Sequence, residues 1–419
     1  MLNSWLFSRL ALLSVLFTGL TDYNSAQNAE QKQISALTAI RAARLLDVAE
    51  GKIISDAVVI VEGDKITAAG SKLPIPANAK TIDLGDATIL PGLIDAHTHI
   101  TYHFDENGQF GVKNDRSAAE SLKYAEENAR RTLEAGFTTI RNLGAIWKVD
   151  LSLRERINRG EAIGPRMLVS GVPLTSYDLQ SFMRPAARLE MIRAFVRARI
   201  AEGADVIKIF EGVDYRGNPI FSAAEIRAAV EEASLSKLKV AVHVHEAAAV
   251  KAAVEGGAAS IEHGTFLDAE AIRLMVKNHV ALVPTLYLPT HYLERKRQFA
   301  FDNSTWIFFE EMKASNIVSA RKAAKAGVWI VAGSDAVAGL HGNNAKEIIW
   351  LTKANLKPAE AIRSATLEAA KLLGLETQIG EIKAGKFADI IAVSGNPLDD
   401  VSNLERVNFV MKAGVVVKK

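Results

Sequence analysis

Short apolar segments alternate with helical patterns over most of the chain, and this alternation is the strongest constraint on the fold. Between about residues 91 and 375 the apolar segments are GLIDAHTH, FTTIRNLG, PRMLVSG, DVIKIFEG, KVAVHVH, ASIEHG, VALVPTLY and WIVAGSDA. Each reads as a strand, and amphipathic helical stretches lie between them. A strand–helix unit repeated in this way predicts an α/β fold, here a (β/α)8 TIM barrel over residues 91–375.

Two of the helical stretches begin with the spacing of a capping box. Ser117 precedes Glu120 by three residues, and Ser222 precedes Glu225 in the same way. A doubly wound parallel sheet is the alternative architecture. No Gly-rich dinucleotide-binding turn follows any of the strands, so the pattern favours the barrel.

Strand patterns flank the predicted barrel on both sides. Residues 56–70, DAVVIVEGDKITAAG, read as two strands joined by a turn at Glu62–Asp64, and FADIIAVSGNPLDD and VNFVMKAGVVVKK are similar segments near the other end. The simplest arrangement pairs the two flanks. We therefore expect residues 31–90 and 376–419 to form one small β-sandwich domain.

The first 30 residues have the pattern of a secretory signal peptide. Arg9 precedes the apolar run Leu10–Leu20, and small polar residues follow. The run is short for a membrane span, which favours a removed signal over an uncleaved anchor. The expected location is secreted or periplasmic, with no stable membrane span after signal removal.

Composition excludes several kinds of site. The chain has no cysteine, so a metal would be held by nitrogen and oxygen atoms, and thiolate nucleophiles and disulfides are excluded. The 50 basic and 48 acidic residues give a formal net charge of +2. This near-balance gives no indication of a nucleic-acid partner.

His97 and His99 end the first apolar segment, in a chain that has only nine histidines. Residues i and i+2 of a strand face the same side, so the two imidazoles project together. Barrel enzymes carry their active sites at the carboxyl ends of the strands. The pair is therefore a candidate for binding a metal.

Other segments supply matching groups at the same level of the predicted barrel. Lys208 lies within VIKIF, where an unmodified ammonium would be poorly solvated. His243 and His245 end VAVHVH with the same two-residue spacing, His263 ends SIEHG, and Asp335 ends VAGSD. A lone buried histidine is more often a hydrogen-bonded core residue than a ligand. Their coincidence at strand ends favours a metal site.

These segments resemble those of the amidohydrolase superfamily of metal-dependent hydrolases. The motifs PGLIDAHTH, VIKIF, VAVHVH, SIEHG, AGSD and GEIKAGKFADIIAV match family patterns and extend over nearly all of the mature chain. The chain is most similar to the imidazolonepropionase-like and Xaa-Pro dipeptidase-like branch. The family fold, a metal-bearing barrel beside a β-sandwich built from both termini, agrees with the fold predicted above.

The resemblance implies two divalent metal ions, and zinc is favoured because imidazole and carboxylate ligands suit it. The implied ligands are His97, His99, Lys208, His243, His263 and Asp335. Lys208 would carry a carbamate derived from CO2, which turns its amine into an anionic bridge between the metals. His245 would contact the substrate, although the choice between His243 and His245 as the ligand stays open.

The resemblance also implies a mechanism of amide hydrolysis. Two metals lower the pKa of a shared water, and the resulting hydroxide attacks an amide carbonyl. Asp335 would act as general base and pass the proton to the leaving nitrogen. Tyr287, at the end of VPTLY, could stabilise the oxyanion or merely form a wall. The expected substrate is a small molecule or short peptide: an Xaa-Pro or hydrophobic dipeptide, or an N-acyl amino acid. A homo-oligomer of the chain is the other expected partner.

Two loops depart from the usual pattern of this branch. The Gly-Gly-His element after the third strand is replaced by GVPLTSYDLQSF, and Arg-Asp-Leu-Gly-Gly after the second strand reads RNLGA, with Asn142 and Ala145 substituted. Arg141 in that motif could pair with a substrate carboxylate or form a structural ion pair. The dipeptide preference of the branch is therefore open for this chain.

Two other functions remain as alternatives. The first is a mononuclear hydrolase of cyclic amides or a deaminase, in which Glu246, three residues after His243, would shuttle protons. Lys208 argues against it, because a site with one metal needs no bridging carbamate. The second is a non-catalytic scaffold, which the complete set of expected ligands disfavours. Loop histidines His103, His291 and His341 are not expected to bind a metal.

Overall fold

The computed structural model describes residues 37–110, 117–176, 184–214 and 216–419. The predicted signal peptide at residues 1–30 lies outside the described residues. None of the helices within the described ranges has both the length and the apolar character needed to cross a membrane.

Strands alternate with helices in the middle of the described residues, whereas strands follow one another at both ends. The strands are β1 (Leu37–Asp47), β2 (Lys52–Glu62), β3 (Lys65–Ser71), β4 (Lys80–Asp83), β5 (Ala87–Pro91), β6 (Leu93–Thr98), β7 (Phe137–Asn142), β8 (Arg166–Val169), β9 (Val206–Phe210), β10 (Lys239–Glu246), β11 (Ser260–Phe266), β12 (Ala281–Val283), β13 (Ile390–Ser394), β14 (Val407–Lys412) and β15 (Val415–Lys418). The helices are α1 (Ala118–Glu134), α2 (Val149–Asn158), α3 (Pro185–Ala201), α4 (Ala223–Ser234), α5 (Ala247–Glu255), α6 (Ala269–Lys277), α7 (Leu288–Glu294), α8 (Lys296–Phe299), α9 (Asn303–Lys325), α10 (Ala345–Lys353), α11 (Pro358–Ser364) and α12 (Leu367–Leu373).

One sheet combines strands from both ends of the described chain. Its order is β15-β14-β13-β5-β1-β2-β3, and β4 pairs with β1 in addition. The predicted hairpin is confirmed, since β2 and β3 are antiparallel and their turn is Gly63–Asp64. The sheet and the α/β part belong to one compact unit, Ala36–Lys419. The domain boundaries remain a prediction.

Two parallel sheets carry the middle of the chain. Their orders are β6-β7-β8 and β12-β11-β10-β9, and every pair in them is parallel. A bridge between Leu174 and Ile209 connects the segment after β8 to β9. On their outer faces the strands pack against helices, and Val242 and Ile261 join Ile226 of α4 in one buried core. The observed class is α/β.

The segment WIVAGSDA does not form the continuous eighth strand that the sequence predicts. It pairs only through single bridges, Ile330 with Leu282 of β12 and Ala336 with Thr98 of β6. The ladder breaks because the N–H of Ser334 donates to the Asp95 side chain, at 2.9 Å, and Asp335 has a φ of 50°.

Gly333 explains how closely this segment approaches its neighbours. A Cβ atom added there would lie 2.4 Å from Val283 Cγ1 and 2.9 Å from His97 Cβ, distances that no side chain tolerates. Glycine at this position therefore lets the residues before Asp335 pass directly beside β6 and β12.

Polar N-caps fix where the helices begin. The Ser117 hydroxyl accepts from the N–H of Glu120 at 3.2 Å, and Ser222 and Glu225 form a reciprocal capping box, as predicted. The long helix α9 begins in the same way, since Asp302 accepts from the N–H of Thr305 at 2.8 Å. Each cap satisfies an N–H that the helix itself leaves unpaired.

Glu347 of α10 generates a prediction for the pH dependence of stability. It is buried, accepts from the N–H of Tyr287 at 3.0 Å, and burial raises its pKa from 4.5 to about 8. The folded chain therefore keeps a proton that the unfolded chain releases, and stability from this group falls as the pH rises from about 4.5 to 8. Glu347→Gln should lose less stability than the wild type between pH 5 and pH 8 in chemical denaturation. Equal losses in both proteins would contradict the prediction.

Candidate metal centre

Strand ends bring the predicted site residues together. The two groups whose ligand atoms lie within 4.8 Å of one another are His97, His99 and Asp335, and His243, His245 and His263. The first group comes from the end of β6 and from the segment after Ile330, and the second comes from β10 and β11. The first group therefore lies at the carboxyl end of β6, and the second lies in the carboxyl-terminal halves of the paired strands β10 and β11.

Asp335 connects the two groups. Its Oδ1 lies 3.3 Å from His99 Nε2 and 3.5 Å from His97 Nε2, and its Oδ2 lies 3.9 Å from His263 Nε2. In the second group His263 Nε2 lies 2.8 Å from His243 Nδ1. The donor atoms thus form one continuous cluster of imidazole nitrogens around a carboxylate.

Several of these atoms are buried without a hydrogen bond. Among the described residues, no hydrogen-bond partner is found for His97 Nε2, Lys208 Nζ or Asp335 Oδ1. Buried polar atoms normally have partners, because an unpaired one costs free energy. Nitrogen and oxygen donors that converge in this way fit a divalent metal such as zinc.

Lys208 lies in the middle of β9 and is 1% exposed. Burial lowers the pKa of its amine to about 8, although the charges of Glu262 and Asp335 act in the opposite direction. Its ammonium nitrogen lies 5.1 Å from the centre of the Phe210 ring. The structure therefore gives this lysine an apolar setting near the carboxylates, as the sequence predicts.

His263, His245 and His99 each have Nδ1 beside a hydroxyl or carbonyl oxygen outside the cluster. His263 Nδ1 lies 2.7 Å from the Thr285 hydroxyl, and His245 Nδ1 lies 2.7 Å from the Thr265 hydroxyl. His99 Nδ1 makes a longer contact, 3.4 Å, with the carbonyl of Gly144. Contacts of this kind orient the ring and leave Nε2 for the site.

Burial favours the neutral form of four of the five cluster histidines. Burial lowers the pKa values of His99 and His245 to about 4, and it lowers those of His243 and His263 well below 6.5. Neutral imidazole has the free lone pair that a metal ligand requires. The cluster is therefore ready to bind a cation at neutral pH without releasing protons from these four rings.

Glu262 is a supporting residue that the sequence analysis missed. Its Oε2 lies 2.9 Å from His97 Nδ1, and its Oε1 accepts from Arg141 at 2.8 Å and from Ser260 at 2.5 Å. Burial opposes its ionisation, but Arg141 and His97 outweigh burial and hold the pKa of Glu262 at about 2. The sequence does contain an indication of this role, because an acidic residue in the buried run SIEHG needs a polar partner.

The sequence left two roles open for Arg141, a contact with a substrate carboxylate and a structural ion pair. The structure supports the ion pair. It is 2% exposed, and besides Glu262 it donates to the carbonyl of Ala96 at 2.6 Å and to Ser260 at 3.1 Å. These contacts occupy its guanidinium. Arg141 therefore does not offer a free fork to a substrate carboxylate, because it already neutralises a buried one.

Asp95 is a second residue that the sequence analysis missed, although it stands in DAHTH beside the ligand pair. It accepts from the N–H of His97 at 3.1 Å, from the Ser334 hydroxyl at 2.5 Å and from Asn344 at 2.7 Å. It thereby joins β6 to the residue that precedes Asp335. Burial raises the pKa of Asp95 above its ordinary value of 3.8, against the effect of these hydrogen bonds.

The backbone of the cluster has unusual torsions. His263, Thr285 and Asp335 have φ values of 75°, 50° and 50°, in the region that residues other than glycine rarely adopt. Such conformations persist only where surrounding contacts hold them, and they concentrate at functional sites. His263 and Asp335 contribute atoms to the cluster, and the Thr285 hydroxyl contacts His263 Nδ1.

Tyr287 lies outside the cluster, so its predicted contact with an oxyanion is not supported. Its hydroxyl donates to Glu294 at 3.0 Å, and its ring packs 5.7 Å from that of Trp350. The chain enters α7 at this residue and its ring lies beside Trp350 of α10, so the role of Tyr287 stays a prediction. Tyrosines Tyr102 and Tyr292 do line the cavity beside the histidines.

Three of the four remaining histidines contact backbone carbonyls through a ring nitrogen. His103, His291 and His341 lie 2.9, 2.8 and 3.2 Å from the carbonyl oxygens of Thr101, Ala338 and His99. Asn142, which departs from the family pattern, accepts from the N–H of Ile100 at 2.7 Å. Part of the other departing loop, residues 177–183, lies outside the described residues.

A cavity of about 330 Å³ opens onto the cluster. One wall carries histidines and Asp335, and the other is apolar and largely aromatic. The lining residues are His99, Tyr102, Phe210, His243, His245, His263, Leu288, Tyr292, Thr305, Phe308, Phe309, Met312, Asp335 and Val337. This volume is at the lower end of the roughly 300–1,000 Å³ found for small-ligand pockets.

Sequence comparisons agree with the metal-binding character of this cluster. Residues 88–417 match the amidohydrolase family. The chain is similar to ochratoxinase of Aspergillus niger, with 28% identity over 90% of this chain and 86% of the other. It is also similar to imidazolonepropionase of Fusobacterium nucleatum, with 24% identity over 81% of this chain and 85% of the other.

Solved structures agree over nearly the whole described chain. A Xaa-Pro dipeptidase with methionine bound in its active site has a TM-score of 0.83 and 33% identity, and the match covers 92% of this chain and 100% of the other. A prolidase in complex with N-methylphosphonate-L-proline has a TM-score of 0.82 and 28% identity over the same shares of the two chains.

The buried pair of Glu262 and Arg141 generates a prediction for stability. Glu262→Gln should lower the free energy of unfolding by about 3–5 kcal/mol, because it leaves the Arg141 charge buried without a counter-ion. The double variant with Arg141→Met should lose less than the sum of the single variants. Urea denaturation measures both.

A matched surface pair provides the control for this experiment. Glu270 lies 3.1 Å from Arg273 on α6, and both side chains are exposed. Glu270→Gln should cost no more than about 1 kcal/mol. A loss for Glu262→Gln as small as that of this control would contradict the proposed contribution of the buried pair.

Proposed function

Because the chain belongs to the amidohydrolase family and is a hydrolase of carbon–nitrogen bonds, we propose that it cleaves an amide bond with the help of two divalent metal ions. The observation that carries the proposal is the set of buried, unpaired nitrogen and oxygen atoms on His97, Lys208 and Asp335. A site for one imidazole-bound metal would not need the buried amine of Lys208.

In this proposal the residues fall into two ligand sets. His97, His99 and Asp335 would hold one ion, and His243 and His263 would hold the other. Lys208, carbamylated by CO2, would supply the anionic ligand between them. His243 Nδ1 and His263 Nε2 lie 2.8 Å apart, so both nitrogens are close enough to reach the same ion.

The metals, when bound, would lower the pKa of a coordinated water and polarise the amide carbonyl. The residues of the chain would transfer the proton and contact the substrate. Asp335, whose Oδ1 lacks a hydrogen bond, would take the proton of the attacking water and deliver it to the leaving nitrogen. His245 faces the cavity with its Nδ1 held by Thr265, so its Nε2 would contact the substrate.

The proposed substrates are an Xaa-Pro or hydrophobic dipeptide, or an N-acyl amino acid. The names of the similar structures support a small amide of this kind, since they include a Xaa-Pro dipeptidase and a prolidase. The volume of the cavity and its position at the cluster are compatible with such a molecule.

The complete architecture and the location are part of the proposal. Hydrogen bonds from the segment around Ile330–Ala336 to β12 and β6 support a single (β/α)8 barrel formed by both parallel sheets. The sheet from both termini would be the accompanying β-sandwich domain. The protein would be exported by the signal at residues 1–30 and act in the periplasm or outside the cell.

A mononuclear hydrolase of cyclic amides is the second candidate. The similarity to imidazolonepropionase favours it, at 24% identity. Metal analysis distinguishes the two, because about one metal per chain in fully active protein would contradict the two-metal proposal.

Lys208→Ala tests the bridging role. The variant should bind less metal than the wild type and lose most of its activity, because the anionic ligand between the metals is gone. Added formate or acetate should restore part of the activity by occupying the same place. Metal content and release of amine from a dipeptide panel measure this.

Lys239→Ala is the matched control, since Lys239 begins the neighbouring strand β10 and contacts the carbonyl of Leu372. It should retain metal and activity. A Lys208→Ala protein with the metal content and the rate of this control would exclude the bridge.

Asp335→Asn tests the proposed proton transfer. The amide oxygen can still bind metal but cannot accept the proton, so kcat should fall by about a hundredfold or more while metal content changes little. Measurement of kcat and of bound metal on the same preparation separates the two effects. A kcat near that of the wild type would show that another group is the base.

A further inference from the structure

Helix α9 presents one stripe of side chains to the cavity. Thr305, Phe308, Phe309 and Met312 line it, at positions i, i+3, i+4 and i+7. This is the spacing of a single helix face. None of the four is charged, so this wall offers packing surface and one hydroxyl to whatever enters the cavity.

The stripe adjoins the metal-binding cluster directly. The Phe308 ring meets the His245 ring edge to face, with 5.1 Å between their centres. The Phe309 ring stacks on Tyr292 of α7 at 4.5 Å. A group bound beside His245 would therefore touch the aromatic rings as well.

The two phenylalanine rings are only half-buried, whereas Met312 of the same stripe is 1% exposed. Apolar surface that stays in contact with water is a source of binding free energy when a ligand covers it. Aromatic rings add a preference for stacked or edge-to-face partners. The stripe is thus suited to a flat apolar group.

We propose that the substrate carries an aromatic or similarly bulky apolar group next to the scissile amide, and that Phe308 and Phe309 select this group. This inference rests on the proposed amide hydrolysis and deepens it, since it names the class of side group. Small substrates such as N-acetylglycine would leave the stripe uncovered and be used poorly.

Four N-acyl amino acids test the selectivity: N-acetylglycine, N-acetylphenylalanine, N-(2-naphthoyl)glycine and N-(2-naphthoyl)phenylalanine. At least one aromatic compound should have a kcat/KM about tenfold or more above that of N-acetylglycine. Phe308→Ala should remove this gain, mainly through KM, and Phe308→Leu should remove part of it. Phe308→Leu also guards against loss of folding in the alanine variant.

Ile307→Ala is the matched control, because Ile307 lies on the same helix and is 65% exposed, away from the cavity lining. It should keep the full preference for aromatic substrates. If N-acetylglycine is hydrolysed as efficiently as the aromatic compounds, the selectivity is wrong although the hydrolase function stands.

Binding provides a readout that does not depend on turnover. In calorimetry with zinc-loaded Asp335→Asn protein, 2-naphthamide should bind about tenfold or more tightly than acetamide. Adding Phe308→Ala should abolish the difference. If no N-acyl amino acid or dipeptide is hydrolysed but this difference is found, the proposed function fails and the apolar subsite stands. Equal binding of the two amides would overturn the subsite.

Discussion

Burial of polar atoms that have no hydrogen-bond partner is the constraint on which the rest of this structure depends. Lys208 Nζ, from the middle of β9, and His97 Nε2, from the end of β6, are enclosed without a hydrogen-bond partner in the described residues. An uncompensated buried polar group costs roughly 2–7 kcal/mol, depending on the reference state. A fold that keeps several of them in one place gains stability from whatever occupies that place. Function and stability are therefore linked at this cluster, as they are in metal sites generally.

Two buried acids hold the cluster in position, and their surroundings shift their pKa values in opposite directions. Glu262 has the Arg141 cation beside it and stays ionised, with a pKa of about 2. Asp95 has hydroxyl, amide and backbone donors in place of a cation, and burial raises its pKa. Both contact His97, one through the ring and one through the backbone N–H. Glu262 thus orients the His97 ring and Asp95 holds the His97 backbone, and His97 Nε2 lies 3.5 Å from Asp335 Oδ1.

The two walls of the cavity differ in chemical character. Neutral imidazoles and a carboxylate on one wall are suited to holding cations and moving a proton, while Phe308 and Phe309 on the other are suited to packing. The aromatic wall comes from α9 and α7, which follow the short strand β12 in the chain. Variation in the segments that follow barrel strands changes which molecule fits without disturbing the strand ends. The proposed chemistry and the proposed selectivity therefore depend on separate elements.

Local pattern was sufficient for much of this protein. The alternation of strands and helices, the caps at Ser117 and Ser222, and the pairing of His97 with His99 follow from periodicities that the backbone imposes on neighbouring residues. Contacts between residues far apart in sequence were decided by the tertiary structure. They include the ion pair of Arg141 with Glu262, the packing of Tyr287 on Trp350, the interrupted strand pairing before Asp335, and the contact of Phe308 with His245. Sequence spacing fixes which way a side chain leaves its own strand or helix, but the partner it meets depends on how separate elements pack.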